Sequence, residues 1–152
     1  MTKYNPERAA QVWQRVRGET SPEAPSQELL QGLILEELNG AAAYLVLSRQ
    51  IPGRDGVQLR RLFEQCHSQA VCLKGICTLV AGKRPLIRGA VPGKETPETI
   101  LRSCYGREMR CLAICEQHTA DPEYGPVFAK LAAQEREHCM AVLELIGRLK
   151  KE

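Results

Sequence analysis

Two of the three histidines in this chain follow a glutamate at the same distance. Glu64 precedes His67 by three residues, and Glu135 precedes His138 by three residues. On a helix, residues three apart lie on the same face, so each pair presents a carboxylate and an imidazole side by side. These side chains are typical ligands of divalent transition metal ions. A single pair of this kind more often lies on a solvated helix face. The presence of a second pair favours the interpretation that both pairs belong to one metal site.

Two further glutamates repeat the arrangement along the chain. Glu37 lies 27 residues before Glu64, and Glu108 lies 27 residues before Glu135. The same pattern of glutamate, glutamate and histidine therefore recurs after 71 residues. Such a repeat predicts two matching pairs of helices that turn their polar residues toward a common axis.

Buried carboxylates need a compensating charge. Glu37, Glu108 and Glu135 each interrupt an otherwise apolar stripe at helical spacing, which predicts that they face inward. An unpaired ion in a protein interior costs on the order of several kcal/mol, and these stripes contain no lysine or arginine. Four carboxylates would balance two divalent cations. Because mixed carboxylate and imidazole ligands suit iron or manganese better than zinc, the predicted cofactor is a pair of iron ions, with manganese as the alternative.

Four long helices must position these residues. The predicted segments cover residues 26–50, 57–80, 97–119 and 122–149. Ser26 is expected to cap the first segment and Asp121 the fourth, with Pro122 at its first helical position, and Gly82 is expected to end the second. Short connections favour antiparallel neighbours, and the connection between the second and third segments is long enough to cross over the bundle. The predicted fold is therefore an all-α, antiparallel four-helix bundle with one longer crossover connection.

The first 25 residues are predicted to form a separate arm ahead of the bundle domain, which spans residues 26–152. The arm combines a short amphipathic N-terminal helix with a linker rich in proline, serine and glutamate. Trp13 is expected to pack against the bundle or against a partner subunit.

Composition excludes several classes of protein. The net charge of +3 is spread along the chain without a basic block, which argues against nucleic acid as a partner. No apolar stretch approaches the roughly 18 residues of a membrane span, and the N-terminus has no apolar segment typical of a signal peptide. The seven cysteines are odd in number and lie mostly in helical patterns. They predict reduced thiols in a cytoplasmic protein.

Three segments resemble the ferritin-like di-iron carboxylate superfamily, and most of all its rubrerythrin-type bacterial members. "EELNGAAAY" resembles their first-helix ligand segment, and "EQCHSQAVCLKGI" and "EREHCMAVLELI" resemble their two Glu-x-x-His segments. The likeness covers residues 26–149. It implies a ferritin-like fold and six metal ligands, with Glu64 and Glu135 bridging the two ions. These ligands are Glu37, Glu64, His67, Glu108, Glu135 and His138.

The resemblance also implies a biochemical activity. A non-haem di-iron oxidoreductase of this type would reduce hydrogen peroxide or O2 in protection against oxidative stress, or oxidise ferrous iron. The alternatives are an iron-binding or storage protein without redox turnover and a purely structural bundle. The chain is expected to lack the rubredoxin domain of rubrerythrins, so the electron donor would be a separate protein such as a rubredoxin. A homodimer is expected.

Three further residues near the predicted ligands are candidates for a role in catalysis. Tyr44 and Tyr105 are expected to hydrogen-bond to ligand carboxylates. Tyr105 and Cys111 also stand where rubrerythrins carry a seventh carboxylate, which puts their peroxidase activity in question. Cys111 shares a face with Glu108 and is either a small core residue or part of a thiol electron relay. His118 is predicted to be solvated at a helix end.

Overall fold

The computed structural model describes residues 6–7 and 25–150, and this part of the chain is helical without any strand. It confirms the prediction of an all-helical protein with four long helices. Most of the predicted N-terminal arm, including Trp13, lies outside the described residues. The four helices are α1 (Gln27–Gln50), α2 (Gly53–Ala81), α3 (Pro97–Gln117) and α4 (Gly125–Leu149).

Side-chain caps begin α1 and α3. The Ser26 hydroxyl accepts a hydrogen bond from the Leu29 amide at 3.1 Å, as the sequence predicts. The Thr96 hydroxyl accepts one from the Thr99 amide at 3.3 Å, and Pro97 follows in the first turn. Each cap satisfies an amide that has no partner within the helix. Local sequence therefore determines where these two helices start.

The starts of α2 and α4 differ from the prediction. Helix α2 begins at Gly53, so Ile51 and Pro52 alone separate it from α1. Asp121 does not cap α4 directly, because its Oδ1 accepts hydrogen bonds from the amides of Glu123 and Tyr124 at 2.9 and 2.6 Å. These bonds hold a separate turn. Helix α4 therefore starts after that turn rather than at Pro122.

The connection between α2 and α3 lies against α1. Gly82 ends α2 in the left-handed conformation, with φ at 76°, as predicted for a glycine at this position. Farther along, the Asn39 Oδ1 accepts a hydrogen bond from the Ala90 amide at 2.7 Å. A Cβ atom on Gly89 would lie 2.7 Å from the backbone of Leu38, so the close approach requires glycine there. The long connection is thus fixed to α1 at its middle.

Two apolar clusters fill the interior, and a polar layer separates them. The first cluster includes Tyr44, Leu59, Leu101 and Val142. The second includes Leu30, Leu73, Cys111 and Phe128. Along each helix, buried polar residues lie between the members of the two clusters. These buried residues define the polar layer: Glu37 on α1, Gln69 on α2, Glu108 on α3, and Glu135 and His138 on α4.

None of the described helices combines the length and the apolar character that crossing a membrane would require. Each of them instead carries an apolar face toward the clusters and charged residues on the opposite side. This division is the usual one for helices that pack around a shared interior.

Candidate metal centre

The polar layer brings together four of the six predicted metal ligands. Glu37 and Glu108 are each 4% exposed, and Glu135 and His138 are each 1% exposed. They come from α1, α3 and α4 and approach one another inside the bundle. The prediction that these four side chains face inward is therefore correct.

The other two predicted ligands lie on the surface of α2. The Glu64 side chain is 66% exposed and forms an ion pair of 3.8 Å with Arg60, one turn earlier. His67 is also exposed, and its ring lies 6.2 Å from the ring of Phe63. The expectation that Glu64 and His67 point toward the other ligands is not met.

The apolar stripe of α2 explains this outcome. The buried residues Leu59, Leu62 and Leu73 set the inward face of the helix. At 100° per residue, Glu64 lies about half a turn from the middle of that stripe. Cys66 and Gln69, two residues after Glu64 and His67, take the inward positions of α2 instead and are 1% and 3% exposed. Reading the stripe of α2 as well as its charged residues would have found both.

The pattern of buried positions repeats along the chain, but the spacing of the repeat differs between the two pairs of helices. Buried positions of α1 recur in α3 after 71 residues, Glu37 with Glu108 among them. Buried positions of α2 recur in α4 after 69 residues instead, and every buried residue of α2 has a buried counterpart at that spacing. By this spacing the counterpart of Glu135 is Cys66, and the counterpart of His138 is Gln69. The matched buried pairs of α2 and α4 include Leu59 with Phe128, Leu62 with Leu131, Cys66 with Glu135, Gln69 with His138, and Leu73 with Val142.

His138 is held at both ring nitrogens. Its Nε2 lies 2.8 Å from Gln65 Oε1, and its Nδ1 lies 3.3 Å from Glu108 Oε2. Because a carboxamide oxygen only accepts hydrogen bonds, Nε2 carries the hydrogen in that contact. Nδ1 then faces a carboxylate oxygen, and the pair requires a proton or a metal ion between them. Gln65 therefore orients the ring with Nδ1 toward the carboxylates.

Glu108 receives two further contacts from neighbouring helices. The Tyr44 hydroxyl donates a hydrogen bond to Glu108 Oε1 at 2.9 Å, as the sequence predicts. The Cys66 thiol lies 3.7 Å from the same oxygen. Tyr105 behaves differently, since it is half-buried against the first apolar cluster and no described carboxylate accepts a hydrogen bond from it. Tyr44 alone takes the position expected of both tyrosines.

The three carboxyl groups share protons in the metal-free protein. Burial, together with hydrogen bonds to Glu108 and Glu37, raises the pKa of Glu135 far above its ordinary value. Burial also raises the pKa of Glu37 to about 7. Burial acts in the same direction on Glu108, but hydrogen bonds to Glu135 and His138 outweigh it and leave the pKa of Glu108 below its ordinary value. At neutral pH the cluster thus holds a protonated Glu135 beside an ionised Glu108.

Several buried polar atoms of the layer have no hydrogen-bond partner. They are Oε2 of Glu37, Oε2 of Glu135 and both amide atoms of Gln69. Within the described residues no lysine or arginine forms an ion pair with Glu37, Glu108 or Glu135, whereas His138 Nδ1 lies 3.3 Å from Glu108 and 4.0 Å from Glu135. Buried polar atoms normally find partners, so these oxygens indicate a place for a cation.

The donor set fits one transition metal ion better than two. Three carboxylates and one imidazole are suitable ligands for iron or manganese. A second ion would need the carboxylate and imidazole predicted on α2, but Glu64 and His67 are turned away from the layer. The expected two-iron centre with six ligands therefore has only part of its ligands in place.

The environment of the buried cysteines favours a role in packing rather than in an electron relay. All seven are free thiols, and Cys72 alone is exposed. Burial raises the pKa of Cys111 well above its ordinary value and that of Cys104 to about 11. Reactive cysteines depend on an accessible thiolate, which this environment disfavours. Cys111 is thus better explained as a small core residue.

His118 is buried, contrary to the prediction of a solvated side chain. It caps the C-terminus of α3 with 6% exposure, and its ring lies 5.4 Å from that of Phe128. The chain turns back toward α4 at this point, which places the ring against the second apolar cluster.

Comparisons of the chain with protein-family models, with curated proteins and with solved structures find no match. The likeness to ferritin-like proteins therefore depends on the residues of the chain itself.

Proposed function

We propose that this protein is a non-haem metalloprotein with an antiparallel, ferritin-like bundle, and that its polar layer binds iron, with manganese as the alternative. Glu37, Glu108, Glu135 and His138 would hold the metal. The observation that carries the proposal is the set of three buried carboxyl groups with which no lysine or arginine of the described residues forms an ion pair. Two of their oxygens have no hydrogen-bond partner among those residues. A bound cation supplies both the missing charge and the missing partner.

The proposed reaction is the reduction of hydrogen peroxide or O2, or the oxidation of ferrous iron. When bound, the metal supplies redox and Lewis-acid chemistry toward oxygen species. Tyr44 and Gln65 orient Glu108 and His138 through hydrogen bonds of 2.9 and 2.8 Å. Once the metal has displaced their protons, the three carboxylates would carry three negative charges and favour the higher charge state of the metal, since attraction grows with ionic charge in a poorly solvated interior.

A surface groove supports access by small oxidants. It has a volume of about 180 Å³ and lies between α2 and α4, with His138 and Gln65 among its lining residues. The groove is wide enough for a molecule of the size of peroxide, whereas the ligand carboxylates stay buried behind it.

The proposal includes partners that follow from this chemistry. Repeated turnover needs an electron donor, which we take to be a separate protein such as a rubredoxin. The seven free thiols agree with a reducing compartment such as the cytoplasm. A homodimer remains part of the proposal.

Metal analysis followed by rapid mixing tests the proposal. Protein is loaded with ferrous iron without oxygen, the excess is removed, and bound iron is measured per chain before mixing with peroxide. We expect bound iron and a rapid absorbance change that reducing agent reverses. Glu135→Gln is the matched variant, because it keeps the shape of the side chain but cannot supply the negative charge. Equal iron contents in the wild type and Glu135→Gln would contradict the proposal.

An iron-binding or delivery protein without turnover is the second candidate. The exposed positions of Glu64 and His67 favour it, because a centre with fewer ligands has less capacity to store oxidising equivalents. Repeated additions of peroxide with reductant separate the two candidates. An enzyme consumes many equivalents per chain, whereas a carrier reacts once.

A further inference from the structure

The thiol of Cys66 lies beside the polar layer and is not part of the predicted ligand set. Its sulfur lies 3.7 Å from Glu108 Oε1. One donor atom each from Cys66, Glu108 and His138 falls within 4.8 Å of the others, and all three residues are buried. A sulfur, an oxygen and a nitrogen from α2, α3 and α4 thus surround one point.

The distances among these atoms suit a single ion. Metal–sulfur bonds of about 2.3 Å and metal–oxygen bonds of about 2.1 Å place two ligands of a tetrahedral ion about 3.6 Å apart. The separation of Cys66 and Glu108 is 3.7 Å, and that of His138 Nδ1 and Glu108 Oε2 is 3.3 Å. Only small side-chain movements would bring these donors to one metal.

On α2, an uncharged side chain, Gln69, lies where a second metal ion would need a charged ligand. Gln69 stands where the 69-residue spacing pairs α2 with His138, and Cys66 stands where it pairs α2 with Glu135. Gln69 is 3% exposed, and neither its amide oxygen nor its amide nitrogen has a partner. An amide brings no charge to neutralise a second cation. The two amide atoms without a partner nevertheless indicate that a polar group binds next to Gln69 in the layer.

We propose that the centre binds one metal ion per chain and that Cys66 ligates it as a thiolate together with Glu108 and His138. Glu37 and Glu135 lie beside these three ligands and add negative charge around the ion. This inference rests on the proposed function and specifies its ligands. Binding of a divalent ion displaces the protons of the Cys66 thiol and of the Glu135 carboxyl group, and both protons pass to the solvent.

The sulfur ligand narrows the choice of metal. Thiolates prefer softer transition metals such as zinc, cobalt and ferrous iron, whereas manganese and magnesium favour oxygen ligands. With Cys66 bound, iron becomes a better occupant than manganese. The metal-free protein holds this thiol neutral, because burial raises the pKa of Cys66 well above its ordinary value.

Cobalt(II) is the probe for this inference. Metal-free protein is titrated with cobalt(II) without oxygen, and the near-ultraviolet band that arises from thiolate-to-cobalt charge transfer is recorded. We expect saturation at one cobalt per chain and a band that is absent from Cys66→Ser. That variant should also bind cobalt about tenfold or more weakly, in line with the loss of a metal contact. Cys111→Ser is the control, since it changes another buried cysteine of the same interior.

X-ray absorption of the cobalt-loaded wild type provides a measurement that needs no variant. One sulfur neighbour at about 2.3 Å is expected. Absence of sulfur from the cobalt shell, a band that persists in Cys66→Ser, or two cobalt ions per chain would overturn this inference and leave the proposed metal centre standing. Failure to retain any cobalt or iron would overturn both.

Discussion

Tyr44 of α1 donates a hydrogen bond to Glu108 of α3 at 2.9 Å, and both side chains are buried. The bond joins a residue of the first helix pair to one of the second. It also leaves the other oxygen of Glu108 to face His138. The orientation of one carboxylate thus depends on side chains from two other helices.

Removal of this hydroxyl is expected to weaken both folding and metal binding. Tyr44→Phe keeps the aromatic ring in the core but deprives a buried carboxylate of a donor, which costs about 1–3 kcal/mol. Metal affinity should fall about tenfold, because the ligand is no longer oriented. Urea unfolding of the metal-free protein and cobalt titration measure the two effects. Tyr105→Phe is the control and should change the free energy of unfolding by less than about 0.5 kcal/mol.

The surface position of Glu64 and His67 predicts that neither is needed for metal binding. Glu64→Gln removes an exposed ion pair with Arg60, which is worth at most about 0.5 kcal/mol. His67→Gln changes an exposed ring. Both variants should keep the metal content of the wild type, whereas His138→Gln should lose most of it. Metal analysis after gel filtration measures this, and loss of metal from Glu64→Gln would show that α2 presents another face when metal is bound.

The stability of the metal-free protein is expected to fall as the pH rises from about 5 to 7. Burial raises the pKa of Glu37 from 4.5 to about 7, so the folded protein keeps a proton that the unfolded chain releases within this window. Folding therefore loses about 2 kcal/mol from Glu37 across it, since the slope is at most about 1.4 kcal/mol per pH unit and decreases toward both ends of the window. Glu135, with its pKa raised further, continues the trend at higher pH. Urea unfolding at several pH values measures the slope.

Glu37→Gln provides the control for this pH dependence. The amide does not titrate, so the slope between pH 5 and 7 should become shallower in the variant. An unfolding free energy of the wild-type protein that rises over this interval would contradict the assignment. Below about pH 4.5 the lowered pKa of Glu108 acts in the opposite sense, since its stabilising contribution is lost on protonation.

Gln65 is expected to tune metal affinity through His138. Gln65→Leu keeps much of the side-chain volume but removes the acceptor that fixes the Nε2 hydrogen at 2.8 Å. Metal affinity should fall about tenfold or more, as for other losses of a hydrogen bond to a ligand histidine. Gln58→Leu alters the same groove at a residue that accepts from Arg148, so it should leave affinity unchanged. Cobalt titration of the two variants makes the comparison.

The local sequence was enough for the helices and for part of the site. Ser26 and Gly82 mark helix ends because capping depends on the residue and its immediate neighbours. Glu37, Glu108 and Glu135 lie inward as predicted because each interrupts the apolar stripe of its own helix. The predicted role of Asp121 as the cap of α4 is wrong, because its side chain stabilises a separate turn ahead of that helix.

The sequence by itself determined four amphipathic helices and the inward positions of Glu37, Glu108, Glu135 and His138, since the apolar period of each helix fixes which residues are buried. The tertiary structure decided the fourth side of the centre, where the charged pair and the apolar stripe of α2 lead to conflicting predictions. The packing of α2 turns Cys66 and Gln69 inward and leaves Glu64 and His67 in solvent. The reason is that burying the apolar stripe of α2 fixes the rotation of the whole helix, which a match in residue spacing between two charged pairs cannot override.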